Sequence, residues 1–183
     1  MNITKIFETQ RTLDAHINEN HPVQEGEDRF SKKVLALLTE LSECENEWRG
    51  FKFWSNNQEP RVKTKSICGC LMCEHHSIPN NKNPLLEEYV DCLHFIVSIG
   101  IDLNVNHEDL FVPSVTQENA VDIFISLHYE FAQIDLLRNV THYIYSFAVF
   151  MELGICLGFS NEQIETAYYS KNKINHARQE NNY

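Results

Sequence analysis

Apolar residues along this chain recur three and four positions apart, the spacing that puts side chains on one face of an α-helix. Ile3, Ile6, Phe7, Leu13 and Ile17 predict a first helix from Ile3 to about Asn20, closed by Pro22. Val34, Leu35, Leu37, Leu38, Leu41 and Cys44 predict a second from near Asp28 to Arg49, with Gly50 as its break. From Ser55 to Asn83 the period gives way to Asn, Pro, Lys, Cys and His, as in a long loop or insertion. Asn83 then supplies a cap and Pro84 a first helical position, so a third helix starts there and is predicted to stop at Gly100. Its apolar positions are Leu85, Leu86, Tyr89, Val90, Leu93, Ile96 and Val97. After a loop from Asn104 to Pro113, two apolar stretches predict helices over about Thr116–Arg138 and Asn139–Leu157, although no Gly or Pro separates them. Gly158 ends the fifth. Ser160 with Gln163 forms a capping box for a sixth, with Ile164, Ala167, Tyr168 and Ile174 inward.

No Asn-Gly or Asp-Gly turn joins alternating apolar runs, so no hairpin is predicted. The fold class read from the pattern is all-α, a helical bundle of about six helices in one domain over residues 1–183. Val121–Leu127 and Thr141–Phe150 are apolar nearly all round, more than a lone surface helix needs; a large shared core or a dimer interface would account for them.

Composition narrows the function. With 183 residues, 43% hydrophobic and 22% charged, the chain has the make-up of a soluble globular protein. Its apolar stretches stop well short of the roughly 18–20 residues a membrane span needs. The start, Met1-Asn2-Ile3-Thr4-Lys5, lacks the basic and apolar blocks of a secretory signal, which gives a cytoplasmic expectation. A net charge of −11 with no basic cluster repels a long phosphate backbone, so no nucleic-acid partner is expected. A single nucleotide is another matter, because carboxylates that hold a divalent cation reverse the local field. Of six cysteines, Cys44, Cys92 and Cys156 fall at apolar helical positions and read as buried thiols.

The chemistry is concentrated in acids. Glu40, Glu43 and Glu47 share a stripe of the second helix, and Glu88 and Asp91 repeat the three-residue spacing on the third, with Glu87 beside them. A single E-x-x-E is commonly a solvated helix face. Two such pairs on successive amphipathic helices, each flanked by apolar residues, instead predict a shared acidic pocket in which some carboxylates stay protonated unless a cation is present. Mg²⁺ suits it: a hard ion with oxygen ligands that bridges carboxylates to phosphates. Near the end of the chain Lys171, Asn175 and Arg178 fall on one helical stripe, where two cations could meet phosphate oxygens and an amide a base edge. His94 and His176 read as packing or hydrogen-bonded histidines.

The run Glu40–Trp54 (E-L-S-E-C-E-N-E-W-R-G-F-K-F-W) together with Glu88–Phe95 (E-Y-V-D-C-L-H-F) resembles the paired E-x-x-E and E-x-x-D motifs of the dimeric dUTPases. These belong to the all-α pyrophosphohydrolase superfamily that includes the MazG-like enzymes and dCTPases. The block Lys171–Gln179 is similar to the K-N-x-x-N-x-x-R-Q element of the same family, and Gln10–Asp14 and Phe51–Trp54 resemble its uracil-contacting and nucleotide-closing segments. The resemblance implies that Glu40, Glu43, Glu88 and Asp91 ligate Mg²⁺, two or more ions with substrate, and that Glu40 or Glu43 also polarises the attacking water, with Glu40 favoured. It implies that Gln10, Lys52, Trp54, Lys171, Asn175 and Arg178 bind substrate, and that a homodimer hydrolyses dUTP to dUMP and pyrophosphate and acts on dUDP as well. Glu47 and Glu87 stay outside the pattern.

One stretch departs from it. The two acidic motifs lie further apart than usual, and the extra length, about residues 56–83, carries Cys68-Gly69-Cys70-Leu71-Met72-Cys73-Glu74-His75-His76. Cys68, Cys70, Cys73 and His75 could hold Zn²⁺, but the spacing lacks paired C-x-x-C knuckles, and a reduced Cys/His loop at the edge of the site is the alternative. Two other readings of the chain stay open: a dCTPase or MazG-like pyrophosphohydrolase with another base preference, or a non-catalytic zinc-binding helical interaction protein.

Overall fold

Asn2, Asp28, Asn83, Asn119, Asn139 and Ser160 each stand just before a helix and accept a backbone N–H from three residues on, so each start satisfies one otherwise unpaired donor. The computed structural model of the chain describes residues 1–61, 83–114 and 119–181. Among these residues it has six α-helices and no strand: α1 (Ile3–Asn20), α2 (Arg29–Trp48), α3 (Pro84–Asp102), α4 (Ala120–Leu137), α5 (Val140–Cys156) and α6 (Asn161–Glu180). A 3-10 turn, His107–Asp109, interrupts the α3–α4 connection. No single helix among them is long and apolar enough to cross a membrane.

α3 is the central element. It packs on α2 along one side and on α1, α5 and α6 elsewhere. This is why its buried residues (Leu85, Tyr89, Val90, Cys92, Leu93, Ile96, Val97 and Ile99) run round most of its circumference rather than along one stripe. Each such aliphatic side chain contributes about 1.5–3 kcal/mol by leaving water. α4 and α5 pack on each other, α4 against α2 and α5 against α3, while α1 and α6 pack together against α3.

The all-α expectation agrees with this architecture, and four details differ from the sequence reading. α3 does not stop at Gly100 but runs on to Asp102. Gly100 is there for packing: a Cβ on it would lie 2.4 Å from the Tyr143 hydroxyl, which donates to the Ile96 carbonyl at 2.8 Å. Leu35 and Ile174 face solvent instead of the core. On α6 the inward row is Ile164, Tyr168 and Asn172, at spacing four, and Ile174 falls two positions off it. α4 begins at Ala120 rather than near Thr116, with Asn119 as its cap. The α4–α5 break needs neither Gly nor Pro, because Arg138 takes a left-handed conformation (φ 43°) and Asn139 caps the next helix. Cys44 and Cys92 are buried thiols and Cys156 is half-buried. The apolar surplus of α4 and α5 is divided: Ile123, Phe124, Leu127, Phe147 and Phe150 enter the core, whereas Val121, Ile125, Tyr129 and Tyr145 stay exposed.

Candidate active site

Close packing of α2 on α3 decides where the acids go. Leu41 and Cys44 on α2 and Tyr89, Val90 and Cys92 on α3 are fully buried at the seam, so the residues beside them, Glu40, Glu43, Glu88 and Asp91, emerge along its edge. Oxygens of Glu40, Glu43 and Glu88 lie within 4.8 Å of one another, an arrangement that could hold a metal ion. Asp91 is placed differently: its carboxylate is ion-paired with Lys171 of α6.

The electrostatics record how crowded the corner is. Burial, reinforced by Asp91, Glu43 and Glu88, pushes the Glu40 carboxyl up to about 7. Burial with Asp91 and Glu43 does the same for Glu88, also to about 7, against a smaller pull from Lys171. Asp91 is raised by burial and partly drawn back by Lys171. Four acids with one lysine among them form a cluster short of positive charge and rich in hard oxygen donors, the chemistry that suits a divalent cation.

Next to the acids opens a cavity of about 440 Å³ between α1, α2, α3 and α6. Glu40 and Asp91 stand on its wall; Leu13, Ile17 and Phe95 supply apolar surface; Asn175 and Arg178 reach it from α6. Arg178 donates to Asn175 Oδ1 at 3.4 Å. Towards the other end stand Arg29, Lys32 and Lys33, of which Arg29 and Lys32 pair with Glu27 and Lys33 with Asp102 at 2.6 Å. An apolar slot with a few carboxylates and cations on its walls has the lining of a small-molecule site.

The polar wall of the slot holds a network that sequence reading did not assemble. Gln10 is only 3% exposed. Its Nε2 donates to Asp14 Oδ1 at 2.8 Å, and its Oε1 accepts from the Tyr168 hydroxyl at 2.9 Å and lies 2.8 Å from His94 Nδ1. Ser98 Oγ donates to the other Asp14 oxygen at 2.7 Å. Gln10 therefore lines the cavity with its amide engaged by Asp14, Tyr168 and His94. His94, 5% exposed and stacked on Tyr168 with centroids 4.2 Å apart, lines the same cavity, and its Nε2 is buried without a partner. Burial lowers its ring to about 3, so it is neutral. His94 and Asp14 were within reach of the sequence, the first three residues after Asp91 and the second four after Gln10. The signal lay in their spacing on helices already assigned.

Three expected substrate residues do not line this cavity: Lys171, which is held on Asp91 beside it, Lys52 and Trp54. Trp54 is exposed, edge-on to Phe51 and Phe53, and Lys52 reaches back to the Asn46 carbonyl and over the Phe51 ring. The loop of Phe51–Trp54 follows α2 past Arg49, which turns left-handed (φ 67°), and so leaves the α2–α3 seam. Glu47 pairs with Arg61 at 2.5 Å and is not one of the three clustered acids, though its charge helps to raise Glu88. Cys68, Cys70, Cys73 and His75, the zinc candidates, lie outside the described residues.

With the carboxylate corner and its slot in place, the sequence comparison is decisive. The profile of a family described as dUTPase matches residues 2–67 and 74–183. The chain belongs to this dUTPase family. As a dUTPase it is an enzyme, a hydrolase of dUTP diphosphatase type, which removes the alternative of a non-catalytic zinc-binding protein. The match passes over residues 68–73, the stretch that bears the three bunched cysteines. Neither a curated protein nor a solved structure matched the dUTPase chain.

Proposed function

We propose that the chain hydrolyses dUTP to dUMP and pyrophosphate, accepts dUDP as well, and uses Mg²⁺ held by Glu40, Glu43, Glu88 and Asp91. The observation that carries this reading is the convergence of Glu40, Glu43 and Glu88 within 4.8 Å, with Glu40 also on the wall of the slot. The donor set fits the ion. All four groups offer carboxylate oxygen, and burial together with mutual repulsion holds two of them near 7, a penalty that a bound cation relieves. When bound, the metal neutralises phosphate oxygens and acidifies a water.

The chain's own residues do the rest. Leu13, Ile17 and Phe95 enclose the base and exclude water from it. Arg178 and Lys171 approach the phosphates from α6, with Asn175 positioned beside Arg178 at the nucleoside. Lys171 exchanges Asp91 for a phosphate oxygen as the substrate seats, which frees Asp91 as a ligand. Glu40, at the boundary of corner and slot, takes the proton from the attacking water on a carboxylate oxygen. Lys52 and Trp54 act at a closed state in which their loop folds onto the bound nucleotide.

The same reading includes a homodimer. It is supported by the exposed apolar row on α4, where Val121, Ile125 and Tyr129 recur at spacing four, continued by Leu136, Leu137 and Val140 at the α4–α5 corner. A second copy of the chain would cover it.

Pyrophosphate release from dUTP, dCTP, dTTP and UTP, each with Mg²⁺ and with chelator, tests the proposal. The expected result is Mg²⁺-dependent turnover with dUTP preferred. A preference for dCTP, or turnover that is indifferent to Mg²⁺, would refute the substrate or the metal assignment respectively.

A further inference from the structure

The wall of the slot has a direction built into its hydrogen bonds. Asp14, when ionised, can only accept, and it accepts from Ser98 Oγ at 2.7 Å and from Gln10 Nε2 at 2.8 Å. That fixes which end of the Gln10 amide faces Asp14. The other end, Oε1, then points at Tyr168 and at His94 Nδ1. An amide oxygen can only accept, so the proton of the neutral imidazole sits on Nδ1. The remaining nitrogen, Nε2, is left with a lone pair and no hydrogen-bond partner of good geometry, on a residue that lines the cavity and whose ring also lies against the Tyr168 backbone. A buried acceptor left bare is costly unless something that enters the cavity donates to it.

We propose that Asp14 is a positioning residue for base selection: acting through Gln10, it holds His94 in the tautomer whose bare Nε2 demands an N–H donor from the base. Uracil presents such a donor at N3. Cytosine presents a lone pair at the same atom, and two lone pairs repel. The proposal rests on the reading that the base of the nucleotide occupies this slot, and it adds the reason why the slot prefers one pyrimidine over another. Its polarity chain runs Asp14, Gln10, His94, with two helices and a stacked Tyr168 ring keeping the links in line.

Nitrogen-15 spectra of the histidine side chains in the ligand-free protein report which ring nitrogen carries the proton, and need no variant. The expected result is protonation of His94 at Nδ1. In Asp14→Asn the amide can also donate, Gln10 gains a second orientation, and the His94 proton becomes shared between Nδ1 and Nε2. The ratio of kcat/KM for dUTP over dCTP then falls by about 10- to 100-fold, the scale of a mispaired polar group in a buried base site. Ser98→Ala, which keeps the Asp14 charge, retains most of the ratio and the wild-type tautomer. A wild-type enzyme that hydrolyses dUTP with His94 protonated at Nε2 overturns the positioning role alone, as does Asp14→Asn with the ratio unchanged. Wild type that hydrolyses neither nucleotide overturns the base assignment through the reading beneath it.

Discussion

Substituting Glu40 by Gln removes a charge from the acidic corner with almost no change of shape, and the structure predicts that this stabilises the metal-free protein above neutral pH. In the unfolded chain Glu40 titrates near 4.5, and in the folded chain burial and its acidic neighbours raise it to about 7. The native state therefore holds the proton more tightly, and stability falls as pH rises from 4.5 through 7. Below 4.5 the group is protonated in both states and contributes nothing; above 7 its full cost is present. Moving a carboxyl that far corresponds to about 3 kcal/mol. Glu40 is half-exposed, so solvent screening reduces the figure to about 1 kcal/mol, and Glu88 adds a similar share by the same mechanism. Urea unfolding in chelator, followed by circular dichroism, should show Glu40→Gln equal to wild type near pH 4 and about 1 kcal/mol more stable near pH 8, with the gain removed when Mg²⁺ is restored to both. dUTP turnover should fall by at least about 100-fold in the same variant, the scale for loss of a general base. A Glu40→Gln protein less stable than wild type at pH 8 in chelator would refute the reasoning, because it would mean that the folded state gains from the charge.

Other consequences follow from the same coordinates. Lys171→Met leaves the half-buried Asp91 without its cation and should cost about 1–3 kcal/mol in chelator, with most of the loss restored by Mg²⁺ in unfolding curves. Gly100→Ala places a methyl 2.4 Å from the Tyr143 hydroxyl and should destabilise by about 1–3 kcal/mol while leaving dUTP affinity near wild type, checked by thermal unfolding and KM. If the proposed homodimer uses the exposed α4 row, Ile125→Asp should shift the sedimentation coefficient from a dimer's to a monomer's; a wild-type value already that of a monomer would refute the dimer.

Helix ends were legible where a side chain does the terminating. Asn83-Pro84 and the Ser160–Gln163 box are local devices, and the structure uses both as the sequence indicates. Gly100 misled because its reason is distant: it makes room for Tyr143, forty-three positions along the chain, and no terminating conformation is involved. Arg138 shows the converse, a left-handed turn made without glycine because the Asn139 cap pays for it. At the site, Glu40, Glu43 and Glu88 are readable from helical spacing once α2 and α3 are taken as neighbours. The Asp91–Lys171 pair and the Asp14–Gln10–His94 chain are not, since each joins residues about 80 positions apart and depends on how α6 and α1 cross α3. Gln10 was found for its amide, but which partners that amide faces is a property of the packing.

In the proposed reaction, three carboxylates gathered by two helices hold the ion that dUTP hydrolysis requires. The most direct measurement is the initial rate of pyrophosphate release from dUTP across a Mg²⁺ titration, in wild type and in Glu88→Gln. Saturable activation in wild type, with activity lost and the Mg²⁺ requirement weakened in a variant that remains folded, is the predicted result. Equal rates in the two proteins at every Mg²⁺ concentration would contradict it.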